Sequence, residues 1–139
     1  NRNYKNVYFW VQDKKDLNYL KTLDNIKNIK IVPPTLESFQ EILSTDIDYI
    51  GTRLHGGIFA MRNKIRSIII GIDERARGMG ETYNLNLIDR NNLDNLEKMI
   101  NSSIVTDVNV NFDIVNMWRD QFKSPQKVMD KATKKRAMK

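Results

Sequence analysis

Short runs of β-branched and other apolar residues alternate along this chain with stretches whose apolar residues recur every three or four positions. The runs are typical of buried strands, and the stretches are typical of helices that pack one face on a sheet. Five runs predict strands over residues 7–11, 29–32, 47–51, 68–72 and 85–88. Three intervening sets predict helices: Leu17, Leu20, Leu23 and Ile26; Leu36, Phe39, Ile42 and Leu43; and Leu93, Leu96, Met99 and Ile100.

This alternation with short connections predicts an α/β fold. We expect a doubly wound, Rossmann-like parallel sheet of about five strands, with helices on both faces. Ligands of such sheets bind at the carboxyl ends of the strands. The third strand ends at residues 51–53 and the fourth at residues 71–73, so two loops are expected at one site. These loops carry Arg53, His55, Asp73, Arg75 and Arg77.

The length of 139 residues fits a single domain. We expect a Rossmann-like lobe over residues 1–125, whose last apolar stripe predicts a helix that ends near Pro125. That stripe consists of Phe112, Val115, Trp118 and Phe122. A basic helix or tail is expected over residues 126–139. Because Asn1 stands where an initiator Met is usual, we expect the chain to be a fragment that lacks an N-terminal lobe.

The positive charge is concentrated at one end of the chain. Six basic residues and one acidic residue among residues 127–139 give +5 of the formal net charge of +6. A short basic terminus is usually solvated, and the lack of aromatic residues there argues against a nucleic-acid partner. Peripheral contact with the inner face of a membrane is the alternative. The absence of cysteine fits the cytoplasm, and no apolar run approaches the about 18 residues of a membrane span.

Residues 51–57, Gly-Thr-Arg-Leu-His-Gly-Gly, lie where the third strand gives way to a helix. We expect the backbone N–H groups of Gly56 and Gly57 to lack partners within the helix, so that they and the helix dipole attract an anion. Arg53 adds a planar, two-pronged donor. His55 is the only histidine, and an imidazole side chain at this position can give or take a proton. Either close approach of an anion or close packing on the sheet explains the paired glycines.

Arg75 and Arg77 follow the fourth strand in the segment Asp73-Glu74-Arg75-Ala76-Arg77. Both cannot point the same way from one short turn, and we favour Arg75 as the ligand-facing residue. One histidine without cysteine does not make a zinc site, so no metal is expected. The chain also lacks the glycine-rich phosphate loops and the nucleophile elbow of familiar nucleotide-binding and hydrolase folds.

Residues 51–60, GTRLHGGIFA, and residues 68–75, IIIGIDER, resemble the C-terminal lobe of the polysaccharide pyruvyl transferase family. The resemblance spans roughly residues 47–90. It implies one lobe of a two-lobe enzyme with a glycosyltransferase-B-like (GT-B) fold. The implied reaction moves a pyruvyl group from phosphoenolpyruvate to two hydroxyls of a sugar, forming a ketal and releasing phosphate. The acceptor would be a cell-surface polysaccharide, such as an exopolysaccharide, or its precursor.

The resemblance also implies roles for individual residues. Arg53 would bind the phosphate or carboxylate of the donor, and His55 would be the general acid or a donor-binding partner. The candidate substrate-binding residues are Arg53, Leu54, Gly56, Gly57, Asp73 and Arg75. No cofactor is expected beyond the donor substrate, and the partners are this donor, the glycan acceptor and the N-terminal lobe. We expect the fragment alone to have no turnover, because a cleft enzyme needs both walls.

Two other functions fit the same fold. The first is a GT-B glycosyltransferase lobe that binds a nucleotide sugar. Many retaining enzymes of that kind carry two glutamates with seven residues between them, whereas Glu74 and Glu81 have six. The second is a non-catalytic interaction module, in which the arginine and histidine at the strand edge bind an acidic group of a partner.

Overall fold

The computed structural model describes residues 3–24, 26 and 28–123. Strands and helices alternate over most of this part of the chain, as the sequence predicts. The elements are β1 (Val7–Trp10), α1 (Lys14–Leu20), β2 (Ile29–Val32), α2 (Leu36–Leu43), β3 (Asp48–Gly51), α3 (Leu54–Arg62), β4 (Arg66–Gly71), α4 (Glu74–Tyr83), β5 (Leu87–Asp89), a 3-10 helix (Arg90–Asn95), α5 (Leu96–Ile100) and α6 (Phe112–Asp120).

All strand pairs among the described residues are parallel. β1 pairs with β2, and β4 pairs with β3 on one side and β5 on the other. Among the described strands no ladder of hydrogen bonds joins β1 to β3, so the strands form two sheets. Their orders, β2-β1 and β3-β4-β5, follow the 2-1-3-4-5 order of one common doubly wound fold. The predicted α/β class with parallel strands is therefore confirmed.

Side chains join the two sheets where backbone hydrogen bonds do not. The Tyr4 hydroxyl, just before β1, donates to Asp48 Oδ2 at the start of β3 over 2.6 Å. The Trp10 ring stacks on Phe39 of α2, with centroids 3.8 Å apart, and Phe39 meets Tyr49 of β3 edge to face. Stacked and edge-to-face aromatic pairs are both favourable geometries. An aromatic cluster therefore fills the space beside β1 and β3.

β4 is the most deeply buried strand. Residues 67–69 are each at most 1% exposed, and successive strand residues face opposite sides, so both faces of β4 are covered. Gly57 of α3 lies against Ile69, and Gly80 of α4 lies against Leu87 of β5. Ile69 and Leu87 are paired across the two strands. Hence α3 and α4 pack on the same face of this sheet.

The ends of β4 and β5 differ from the prediction for local reasons. β4 begins at Arg66 rather than at residue 68, because Arg66 pairs with Asp48 of β3 in the parallel ladder. β5 begins at Leu87 rather than at residue 85. Asn84 adopts a left-handed conformation with φ of 53° and ends α4, and the Leu85 N–H donates back to the Gly80 carbonyl over 3.0 Å.

The chain divides into two compact units, Asn1–Val108 and Asn109–Lys139. The second unit contains α6, which confirms the helix predicted from the last apolar stripe, and the Asn111 side chain accepts the Asp113 and Ile114 N–H groups at its start. The predicted boundary at residues 125–126 and the basic segment 126–139 lie outside the described residues. None of the helices that the structure describes is long and apolar enough to cross a membrane.

Candidate functional site

A cavity of about 550 Å³ opens at the carboxyl ends of β1, β3 and β4. This volume lies within the range of small-molecule pockets. The cavity is also at the place where the two sheets meet, which is the usual ligand site of doubly wound folds. Its lining residues are Trp10, Gln12, Leu36, Phe39, Thr52, Arg53, Leu54, His55, Gly56, Phe59, Ile72, Asp73, Arg75 and Ala76.

Six of the seven candidate residues line this one cavity. They are Arg53, Leu54, His55, Gly56, Asp73 and Arg75. Gly57 is not among the described lining residues. A Cβ atom on Gly57 would lie 2.7 Å from Ile69 Cγ1, so its Cα is pressed against β4. The loops after β3 and β4 thus bring their polar residues to a common space, as strand ends in a parallel sheet do.

The first turn of α3 supplies backbone donors from different residues than the sequence suggests. The helix begins at Leu54, and the Gly57 N–H already donates to the Arg53 carbonyl over 3.0 Å. The expectation that the Gly57 N–H is unpaired is therefore wrong, because the helix starts earlier than assumed. The N–H groups of Leu54, His55 and Gly56 precede the first intrahelical bond, and no described side chain caps them.

Close packing accounts for the paired glycines. A Cβ atom on Gly56 would lie 2.8 Å from the Tyr49 hydroxyl oxygen, and one on Gly51 would lie 2.7 Å from the same atom. Such distances are shorter than van der Waals contact, so larger residues would displace Tyr49. Gly56 also lines the cavity, whereas Gly57 packs against Ile69 and Tyr49 of the sheet. Of the two explanations that the sequence leaves open, packing on the sheet therefore applies to both glycines.

Tyr49 holds the turn that carries the candidate residues. Its hydroxyl donates to the Arg53 carbonyl over 3.0 Å. Burial raises the pKa of Tyr49 to about 12, and the nearby Arg53 charge acts in the opposite direction. The hydroxyl therefore remains a donor at neutral pH. Sequence reasoning missed Tyr49, although an aromatic residue two positions before Gly51 was the available signal.

Arg53 lies at the cavity with an exposed and incompletely engaged guanidinium group. Its Nη2 is 3.4 Å and 3.5 Å from the two carboxylate oxygens of Asp16, which are long contacts. Asp16 Oδ2 also accepts the Gln12 and Asp13 N–H groups, at 3.2 Å and 3.0 Å, and so caps α1. Exposed ion pairs of this kind contribute little stability. An anionic ligand can therefore compete for Arg53.

The two arginines after β4 have different surroundings. Arg77 donates to Asp89 over 2.7 Å and to Glu74 over 2.8 Å, while Arg75 lines the cavity. The Asn91 N–H and the Arg77 guanidinium hold the pKa of Asp89 below its usual value. Arg75 Nη2 is 3.7 Å from Asp73 Oδ2, and both side chains are exposed. Arg75 is thus the arginine of this loop that is available to a ligand.

Asp73 has a structural function in addition to its place in the cavity wall. Its Oδ1 accepts the Ala76 N–H over 2.8 Å, which makes Asp73 the N-cap of α4. A carboxylate engaged in capping repels an anionic ligand less than an unengaged one, because backbone dipoles offset part of its charge.

His55 is the second residue of α3 and is exposed to the cavity. In the part of the chain that the structure describes, its imidazole has no hydrogen-bond or ion-pair partner in the protein. Both ring nitrogens are therefore accessible to a ligand. Of the described residues, no three His, Asp or Glu side chains lie close enough together to hold a metal ion.

The remaining wall of the cavity is apolar and was not anticipated from the sequence. It is formed by Trp10, Leu36, Phe39 and Phe59. These residues come from β1, α2 and α3. Their spacing in the sequence indicates burial in a hydrophobic core and gives no sign that they line a cavity. Trp10 Nε1 is buried and has no hydrogen-bond partner within the described ranges. The cavity thus combines an apolar wall with a rim of arginine side chains and backbone N–H donors.

The fold and the cavity define an α/β protein with a ligand-sized site at the carboxyl ends of its parallel strands. The family model described as polysaccharide pyruvyl transferase matches residues 1–74, more than half of the chain, and the chain belongs to this family. The match includes Arg53, His55 and Asp73 and stops before Arg75. No curated protein and no solved structure matches the chain. The protein is accordingly a transferase, and its general activity is polysaccharide pyruvyl transfer.

Proposed function

We propose that the cavity binds phosphoenolpyruvate and that the protein transfers its pyruvyl group to two hydroxyls of a sugar in a cell-surface polysaccharide or its precursor. The observation that supports this most directly is the convergence of Arg53, His55 and Arg75 on one cavity in a chain of this family. Phosphoenolpyruvate is a cytoplasmic metabolite, so the reaction is assigned to the cytoplasm. We assign the acceptor contacts largely to a second lobe of a GT-B-like enzyme.

The donor carries two anionic groups, a phosphate and a carboxylate. The guanidinium groups of Arg53 and Arg75 and the first-turn N–H groups of α3 are the donors available to them. Of the charged side chains among the described lining residues, two are arginines and one is Asp73. Because Asp73 caps α4, the balance at the cavity favours an anion.

His55 is proposed to supply the proton that starts the reaction. Protonation of the donor methylene carbon by His55 converts it to a methyl group and leaves positive charge on the neighbouring carbon. One sugar hydroxyl attacks that carbon and returns its proton to His55. The second hydroxyl then replaces the phosphate, which departs with the second proton, and the product is the pyruvate ketal. The apolar wall at Trp10, Phe39 and Phe59 reduces the water able to compete with the hydroxyls.

Substitutions in the full-length enzyme test this function. His55→Asn removes the acid and Arg53→Ala removes an anion ligand, so each is expected to lower the transfer rate on the order of 10²-fold. The rate is measured as phosphate released from phosphoenolpyruvate in the presence of the glycan acceptor. Arg62→Ala is the matched control, because Arg62 is an exposed arginine at the other end of α3. Wild-type rates in both cavity variants contradict the proposal.

A further inference from the structure

The lining of the cavity separates charged from uncharged side chains. Arg53, His55, Asp73 and Arg75 all come from the loops after β3 and β4 and from the first turns of the helices that follow. The end of β1, the loop after it and α2 contribute only uncharged side chains to the described lining. These are Trp10, Gln12, Leu36 and Phe39, which we call the neutral side of the cavity.

The donor alone does not fill this space. Phosphoenolpyruvate has ten non-hydrogen atoms, and at about 30 Å³ for each, the share of one molecule in liquid water, it occupies roughly 300 Å³. The cavity has a volume of about 550 Å³. Because the donor is assigned to Arg53 and Arg75, the remaining space borders the neutral side. That space is comparable in size to a single sugar ring.

Gln12 brings an unengaged amide to the neutral side. Its backbone N–H donates to Asp16 Oδ2 over 3.2 Å, which fixes this part of the loop after β1. Its side chain is half-buried and has no hydrogen-bond partner in the part of the chain that the structure describes. An amide offers two N–H donors and a carbonyl acceptor without net charge. This set matches sugar hydroxyls, which both donate and accept, better than it matches an anion.

Leu36 and Trp10 add an apolar surface to the same side. Leu36 is 53% exposed although it is large and apolar, and it is the first residue of α2. Phe39, one turn later, stacks on Trp10 with ring centroids 3.8 Å apart and so holds the indole in place. A pyranose ring has C–H groups on its faces and hydroxyls around its edge. An apolar surface with a few neutral polar groups is therefore suited to bind it.

We propose that the neutral side of the cavity binds the acceptor sugar ring, with the ring against Trp10 and Leu36 and its hydroxyls hydrogen-bonded to the Gln12 amide. This inference rests on the proposed function, because the donor must occupy the charged side. The ring then lies beside the donor carbon that forms the ketal, and the rest of the glycan extends toward the second lobe. Gln12 and Leu36 are thus specificity-determining residues for the acceptor.

Steady-state kinetics of the full-length enzyme test the two sides separately. The acceptor is the cell-surface polysaccharide freed of pyruvate ketals by mild acid, and the rate is phosphate release from phosphoenolpyruvate. Gln12→Ala and Leu36→Ala are each expected to raise the KM for the polysaccharide about 3- to 10-fold, because one hydrogen bond or one apolar contact is lost. The KM for phosphoenolpyruvate should change less than about two-fold. Gln40→Ala and Leu93→Ala are the matched controls, because both residues are exposed and neither is among the described lining residues.

Affinity gel electrophoresis measures sugar binding without turnover. A gel that contains the same polysaccharide is expected to retard the wild-type enzyme without phosphoenolpyruvate, and to retard both variants less. Melting temperatures measured alongside separate lost binding from lost folding. An unchanged KM for the polysaccharide in both variants, an equal rise in both KM values, or no retardation of the wild type overturns the proposal. A wild type that is retarded through Gln12 but releases no phosphate would contradict the proposed donor and support the sugar site.

Discussion

The Tyr49 hydroxyl fixes the backbone turn at Arg53. It donates to the Arg53 carbonyl and occupies the space in which Cβ atoms on Gly51 and Gly56 would lie. One phenol therefore sets both the start of α3 and the requirement for small residues around it. This explains why packing, rather than direct ligand contact, decides the residue type at these glycines.

Removal of the Tyr49 hydroxyl should weaken the fold in a pH-dependent way. Tyr49→Phe is expected to lower the free energy of unfolding by about 1 kcal/mol at neutral pH, since one hydrogen bond is lost. Tyr49 has a folded pKa of about 12 and an ordinary value of 10.0, so folding favours its protonated form. Its contribution is complete below pH 10 and is lost as the pH rises toward 12.

Denaturant unfolding of the wild type and of Tyr49→Phe measures this effect. The difference in unfolding free energy between the two proteins should shrink between neutral pH and about pH 11. Comparing the two proteins at each pH cancels the titration of the lysines, which both share. A difference that stays constant over this range contradicts the assigned burial of the hydroxyl.

The contact between Gly56 and Tyr49 predicts a coupling between two substitutions. Gly56→Ala alone places a Cβ 2.8 Å from the Tyr49 hydroxyl and is expected to cost about 1–3 kcal/mol of stability. In a Tyr49→Phe background the oxygen is gone, and the next atoms are at 3.3 Å and 3.5 Å. A double-mutant cycle should therefore give a favourable coupling of about 1 kcal/mol, whereas strictly additive effects would show that the clash is absent.

Arg66 connects three secondary-structure elements, β3, β4 and α5. Its Nη1 donates to Asp48 of β3 over 2.6 Å, and its Nη2 donates to the carbonyls of Met99, Ile100 and Ser102 at the end of α5, at 2.8–2.9 Å. Cations interact favourably with the carboxyl end of a helix, where carbonyls lack intrahelical partners. Arg66 therefore anchors the start of β4 to both neighbours.

Loss of the Arg66 guanidinium should destabilise the fold. Arg66→Met keeps the apolar stem and removes four hydrogen bonds, so the expected loss is about 2–4 kcal/mol of unfolding free energy. Arg66→Lys should recover only part of it, because an ammonium group lacks the planar fork. Arg62→Ala provides the comparison in thermal or denaturant unfolding and should change stability by less than about 0.5 kcal/mol. A loss of stability in Arg66→Met as small as that in Arg62→Ala would contradict the anchoring role.

The sequence predicts the elements well because apolar periodicity reflects which faces are buried. It predicts their ends poorly, because hydrogen bonds between distant residues decide them. Leu85 was expected in a strand, but Asn84 turns the chain so that the Leu85 N–H bonds back to Gly80. The helix predicted through Ile26 ends at Leu20 for α1. The start of α3 at Leu54, rather than at the glycines, likewise changes which N–H groups are available.

The sequence likewise predicts only part of the candidate site. The ends of parallel strands converge by topology alone, so the sequence predicts that the loops at Arg53 and Asp73 lie together. The apolar wall of Trp10 and Phe39 was not foreseen, because residues from different elements meet there only after folding. The pairing of Arg77 with Asp89 likewise forms only after folding brings α4 and β5 together.

At the scale of the whole Asn1–Val108 unit, the cavity lies where the β2-β1 sheet adjoins the β3-β4-β5 sheet. The Arg53–Asp16 pair links the loops on the two sides of this junction. Asp16 is bound by two backbone N–H groups of the loop after β1, and Arg53 belongs to the loop after β3. The pair is long and its Arg53 side chain is exposed, so an incoming anion can replace this contact.

Neutralising Asp16 should therefore favour donor binding. In Asp16→Asn the side-chain oxygen still accepts the N–H groups that cap α1, while Arg53 loses its protein counter-ion. The expected result in the full-length enzyme is a KM for phosphoenolpyruvate that falls about two- to five-fold with kcat nearly unchanged. Asp13→Asn makes the same charge change at the N-cap of the same helix and should have a smaller effect. A raised KM in Asp16→Asn would mean that Asp16 orients Arg53 instead of competing for it.

An amide-shift NMR titration asks whether the cavity at the junction of the two sheets is a phosphoenolpyruvate site. Phosphoenolpyruvate, UDP and GDP are added separately to the chain at low salt, which preserves weak electrostatic binding. We expect saturable shifts with phosphoenolpyruvate at residues 53–56 and 73–75, and weaker shifts with either nucleotide. Nucleotide-selective shifts at these residues, or no saturable phosphoenolpyruvate shift in either loop, would contradict it.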